Sequence, residues 1–78
     1  MKLTQKQLEQ IKKQYRLSPR ETQIVDLILQ GVDSNEKLAE NLGISLGAAK
    51  QYVHGVCVKF QMSSKLSIAV KVFESLHK

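Results

Sequence analysis

Lys50 and Gln51 stand side by side, and His54 follows one helical turn later, within GISLGAAKQYVHGVCVKF at residues 43–60. A lysine ammonium reaches the base-edge acceptors of guanine, and a glutamine amide pairs bidentately with adenine. Carried on the exposed side of one helix, this trio suits the reading of base edges. Other chemistry is harder to assemble from the same residues. His54 and Cys57 lie three apart, but two ligands do not make a zinc site, and the only further histidine is His77 near the end. Cys57 has no acid–base relay in view and falls close to the helix's apolar side, where a small packed residue is expected. Ser45 lacks a nucleophile elbow, and no glycine-rich phosphate loop follows a strand. The expectation is therefore no catalytic residue, no metal, no cofactor and no enzyme.

Helices must position these residues, because there is no strand alternation and no hairpin signal. Thr4 with Gln7 forms a capping box for the first helix, and Leu3 and Leu8 flank it as a hydrophobic staple. Leu8, Ile11 and Tyr15 then make a narrow apolar stripe on a helix otherwise rich in lysine. Ser18, Pro19 and Glu21 open the second helix as cap, first residue and capping-box partner, and Gly31 ends it. The third runs from about Asn35 to Leu42, capped by Asp33 or Ser34, and stops at Gly43. Only Ile44 separates that glycine from Ser45, the cap of a fourth helix from Leu46 to about Gln61. A glycine turn this short is characteristic of a helix-turn-helix. On the fourth helix Ala49, Val53, Val56 and Phe60 share one arc, expected to face the core. Gly47, Gln51, His54 and Val58 lie opposite, with Lys50 on one flank and Tyr52 and Lys59 on the other. A fifth helix, capped by Ser63 or Ser64, runs from about Lys65 to Leu76. Its apolar residues cover more than one face: Leu66, Ala69, Val70, Phe73 and Leu76 in a stripe, Ile68 and Val72 beside it. The excess is enough for a second contact, most simply with a symmetric copy.

The 78 residues make one small domain, and 42% hydrophobic content is that of a folded chain. The net charge of +5 is unevenly spread. Residues 1–16 carry five basic and one acidic side chain, residues 17–43 two and five, and residues 44–78 five and one. Basic ends around an acidic middle suggest a polyanion footprint on selected faces. One cysteine excludes an intrachain disulfide and fits a reducing compartment. No segment has the length of apolar chain that a membrane span needs, nor the apolar stretch of a signal peptide, so the expected location is cytoplasmic, away from membranes.

LSPRETQIVDLILQGVDSNEKLAENLGIS, followed by AAKQYVHGVCVKFQMSSK, resembles the LuxR/GerE-type helix-turn-helix domain of bacterial regulators over residues 17 to about 76. Leu17, Ser18, Arg20 and Glu21 match its opening, Gly31 its first glycine, and Ser34 and Asn35 its Ser-Asn. Ile44 and Ser45 match its turn, Lys50 its recognition-helix lysine, and Lys59 and Phe60 its later Lys-Leu. Departures are Ala48 and Ala49 where Thr-Val is usual, Tyr52 for a histidine, Glu36-Lys37 in reversed order, and Lys65 for an arginine. The resemblance implies an all-α fold: a four-helix LuxR-type domain at residues 17–78, a bundle built round a central helix-turn-helix. An extra basic amphipathic helix at residues 1–16 precedes it.

It further implies a sequence-specific transcriptional regulator that puts residues 46–61 into the major groove of double-stranded DNA. Base contacts fall at Lys50, Gln51 and His54. Phosphate contacts fall at Ser45, Tyr52 and Lys59, with Asn35 and Lys37 from the preceding helix. The last helix would join a homodimer through Leu66, Ile68, Ala69, Val72, Phe73 and Leu76. Two other readings stay open: an interaction module that binds another regulator or RNA polymerase in place of DNA, and a piece resembling sigma-factor region 4. Met1 and the capped first helix are those expected of a complete small regulator, although many LuxR-type domains belong to longer chains.

Overall fold

Five short helices emerge because a hydroxyl side chain opens each one. In a computed structural model, which describes residues 2–77, they are α1 (Gln5–Tyr15), α2 (Pro19–Leu29), α3 (Asn35–Leu42), α4 (Leu46–Phe60) and α5 (Lys65–Leu76). The caps are Thr4, Ser18, Ser34, Ser45 and Ser64, and each side chain accepts a hydrogen bond from the backbone N–H three residues on. Each such bond satisfies an amide that has no partner inside its helix, worth about 1 kcal/mol. Both expected capping boxes form, Thr4 with Gln7 and Ser18 with Glu21. The alternatives at the third and fifth starts resolve to Ser34 and Ser64. Met1, the expected chain start, lies outside the described residues.

Glycine does its conformational work at two helix ends. Gly31 (φ 97°) and Gly43 (φ 66°) take left-handed backbone that a β-carbon would disfavour. At the second of these the Ile44 amide returns to the Ala39 carbonyl at 3.0 Å, which closes α3 and turns the chain straight into Ser45. The described residues form no strand.

α2 lies at the centre, packed against α1, α4 and α5, while α3 packs on α4. Ile24 and Val25 of α2, Leu38 of α3, Val56 and Phe60 of α4, and Ile68 and Val72 of α5 meet in one core. Burying side chains of this size contributes about 1.5–3 kcal/mol each before entropy is charged against it. α1 is part of that core and not an appendage. Its Ile11 is fully buried, Leu3 almost so, and Tyr15 stacks on Phe60 with ring centroids 3.9 Å apart. The Tyr15 hydroxyl also hydrogen-bonds the Ser75 hydroxyl of α5 at 2.9 Å.

The fifth helix corrects two residues of the expected dimer face. Ile68 and Val72 are wholly buried in the chain's own core, so neither is available to a second copy. Ala69 and Leu76 are partly buried against the same core. The uncovered apolar residues are Leu66, Val70 and Phe73, at 76%, 51% and 52% exposure. They follow at i, i+4 and i+7, one stripe of a helix. Val70 belongs to the exposed stripe in place of the two core residues.

Candidate nucleic-acid interface

The α3–turn–α4 unit sets the site. Ser45 holds the start of α4 by accepting the Ala48 amide at 3.1 Å, and its hydroxyl stays at the surface. The core arc expected of α4 is observed: Ala49, Val56 and Phe60 are buried, and Val53 is partly buried against them. The opposite stripe of Gly47, Gln51, His54 and Val58 is exposed, as is Lys50 beside it. Lys50 and His54 border a shallow groove with Val53, Cys57, Val58 and Gln61. Cys57 is a free thiol packed partly against the core, as its position on the arc implies.

The remaining residues separate into two groups. Lys37 is exposed near the start of α3, and its amide is held by Ser34. Asn35 opens the same helix, half-buried, with its Oδ1 atom buried and without a hydrogen-bond partner. Tyr52 faces the other way. It borders a cleft shared with Gln5, Leu8 and Lys12 of α1 and with Arg20 and Gln23 of α2.

Lys59 is engaged within the chain. Its Nζ donates to Glu21 Oε1 at 2.6 Å and to the Arg16 carbonyl oxygen at 2.8 Å. The same carboxylate oxygen accepts the Ser18 amide at 2.8 Å, so one acidic group caps α2 and anchors α4. Burial alone would raise the Glu21 carboxyl. The hydrogen bonds from Lys59 and the Ser18 amide, with the ammonium's charge, outweigh it and hold the pKa below the ordinary value. Gly55 completes the junction, since a β-carbon there would sit 2.6 Å from Glu21 Oε2. Among the described residues Lys59–Glu21 is the one ion pair.

Sequence reasoning missed this cluster's role. Glu21 was visible only as a capping residue, and Gly55 was assigned no role. The available signal was the i, i+4 spacing of Gly55 and Lys59, which puts a space and a cation on one side of α4.

A buried-backed, hydroxyl-capped helix that follows a three-residue turn from a shorter one defines a helix-turn-helix domain. The family model of bacterial regulatory proteins of the luxR family matches residues 15–72, and the chain belongs to that family of DNA-binding transcription regulators. Searches of curated proteins and of solved structures return no match. No helix among the described residues is long and apolar enough to cross a membrane.

Proposed function

We propose that the chain is a sequence-specific transcription regulator that binds double-stranded DNA as a homodimer, in the cytoplasm, with α4 in the major groove. One observation carries the reading: α4 is buried along one stripe and presents Gln51 and His54 on the other, with Lys50 alongside. A helix enters the groove with its amino-terminal half leading, and here that half is the uncovered one. Lys50 is assigned to guanine acceptors, Gln51 to adenine, and His54 to a third base edge. Ser45, Asn35, Lys37 and Tyr52 are assigned to phosphates, which position the helix without choosing sequence. Lys59 acts first through Glu21, as a residue that positions α4.

The second copy is assigned to the Leu66, Val70 and Phe73 stripe, whose exposure leaves apolar surface that self-association would cover. A two-fold contact brings the same stripe from both copies together.

Selection of bound duplexes from a random pool tests the reading. The expected product is a two-fold-related motif whose affinity falls steeply with salt. Lys50→Ala should cost about 1–3 kcal/mol and relax one position of the motif. A flat salt dependence, together with an inert Lys50→Ala, refutes base reading and leaves an interaction module. A single unrepeated half-site, with sedimentation as a monomer on and off DNA, refutes the dimer.

A further inference from the structure

α1 lies almost wholly before the stretch matched by the family model, which begins at residue 15. It is nevertheless the most basic part of the chain. Lys2, Lys6, Lys13 and Arg16 are exposed, Lys12 is half-exposed, and Glu9 is the one acidic residue among them. None of these cations is in an ion pair among the described residues.

Their placement is what gives them a use. Lys12, Lys13 and Arg16 surround a hollow at the end of α1. Lys12 also borders the adjoining cleft, whose far side is formed by Arg20 of α2 and Tyr52 of α4. A rim of basic side chains, interrupted by Glu9, therefore runs from α1 towards the flank of the reading helix. Arg20 donates one bond to Gln23 at 3.3 Å, which leaves most of its guanidinium donors free. Glu9 and Asp26 border the cleft as well and balance its two basic residues, so the cationic excess lies at the hollow, where Lys12, Lys13 and Arg16 outnumber Glu9.

The rim is also held still. The buried Ile11, the Tyr15–Phe60 stack and the Lys59 bond to the Arg16 carbonyl fix α1 relative to α4. Those contacts consume the apolar side of α1, which removes the face that an amphipathic helix would bury in a membrane surface. Cations carried on a fixed helix beside α4 match a row of anions beside a groove.

We infer that Lys12, Lys13 and Arg16, with Arg20, form a second phosphate-contact surface that carries the footprint beyond the groove occupied by α4. The inference rests on the DNA-binding reading above. Its occupant is the sugar-phosphate backbone of the same duplex, on the Tyr52 side of α4.

Lys12→Gln/Lys13→Gln/Arg16→Asn in the full chain tests it. Asparagine is chosen at position 16 because Arg16 has left-handed backbone (φ 55°). Binding to a selected duplex and to a scrambled one is measured between about 50 and 200 mM salt. The slope of log K against log salt should fall by about 0.9 for each phosphate contact removed. Both duplexes should weaken by the same factor, their order of preference should stay, and the thermal melt should not move. An unchanged slope in a parent that binds normally overturns the inference while the DNA-binding reading stands. So does weakening confined to the selected duplex. A parent that binds vesicles containing anionic lipid and neither duplex overturns both readings.

Discussion

The two halves of α4 are built differently. From Leu46 to His54 the helix has one fully buried side chain, Ala49, and otherwise meets solvent or half-buried neighbours. From Gly55 to Phe60 it has Val56 and Phe60 in the core, the Lys59–Glu21 pair at its side, and Gly55 pressed against the same carboxylate. The leading half carries the candidate readers and the trailing half carries the anchorage. A side chain that must meet a base cannot also be buried, so the orientation of Lys50, Gln51 and His54 is set from behind. Substitutions in the trailing half should therefore register as stability, and those in the leading half as binding.

Phe60→Ala should show the largest effect. It removes a nearly fully buried ring and the stacking partner of Tyr15, which loosens α1 and α4 together. The expected loss is about 3–5 kcal/mol by chemical denaturation. In a domain this small much of the population would unfold, because total stability is only about 5–15 kcal/mol. A loss under about 1 kcal/mol would erase the contrast between the halves.

Gly55→Ala tests the anchorage more sharply. On helix propensity alone alanine would stabilise by about 1 kcal/mol. Here its β-carbon meets Glu21 Oε2 at 2.6 Å, in a carboxylate whose other oxygen is already held by two donors, the Ser18 amide and the Lys59 ammonium. The substitution should instead destabilise by about 1–3 kcal/mol. In a Glu21→Ala background the clash is gone, and the same change should stabilise. A double-mutant cycle reads the difference as a coupling energy. Equal effects in both backgrounds would mean that Glu21 moves aside at no cost.

This junction also marks where sequence reasoning ended. The caps, the glycine terminators and the core arc of α4 were legible because each depends on residues within about four positions, where helical periodicity applies. The Glu21–Lys59 pair joins residues 38 apart, and the Tyr15–Ser75 bond residues 60 apart. Periodicity says that a face exists, but not which face it meets. For the same reason α5 read as apolar on more than one face, with a stripe and two residues beside it. Only packing on α2 and α4 separates Ile68 and Val72, which are inside, from Leu66, Val70 and Phe73, which are out.

The charge of Glu21 should have a smaller effect with a defined pH dependence. Its carboxyl is held below the ordinary value in the folded chain, so the unfolded chain binds its proton first as pH falls. The contribution is therefore complete above the ordinary carboxylate pKa and is lost as pH drops through the lowered folded value. Glu21→Gln preserves the capping-box geometry and removes the charge. The stability gap between the two proteins should be constant near neutral pH and close in acid. Lys59 is about a third exposed, so water screens the pair and the gap should stay under about 1 kcal/mol. A gap that persists at pH values well below that range would assign it to packing.

Gly47→Ala addresses the leading half, where the expected stability change is smallest and opposite in sign. A β-carbon at Gly47 would meet nothing within 4 Å. The helix should gain up to about 1 kcal/mol from the better propensity. If Gly47, on the exposed side, lets the backbone come close to the groove, the same methyl group should weaken duplex binding while it raises the denaturation midpoint. The opposite movement of the two measurements is the informative result, because no change in the trailing half should produce it. A rise in stability with unaltered affinity would show that position 47 stands clear of the DNA, and would move the close approach further along α4, towards Lys50 and Gln51.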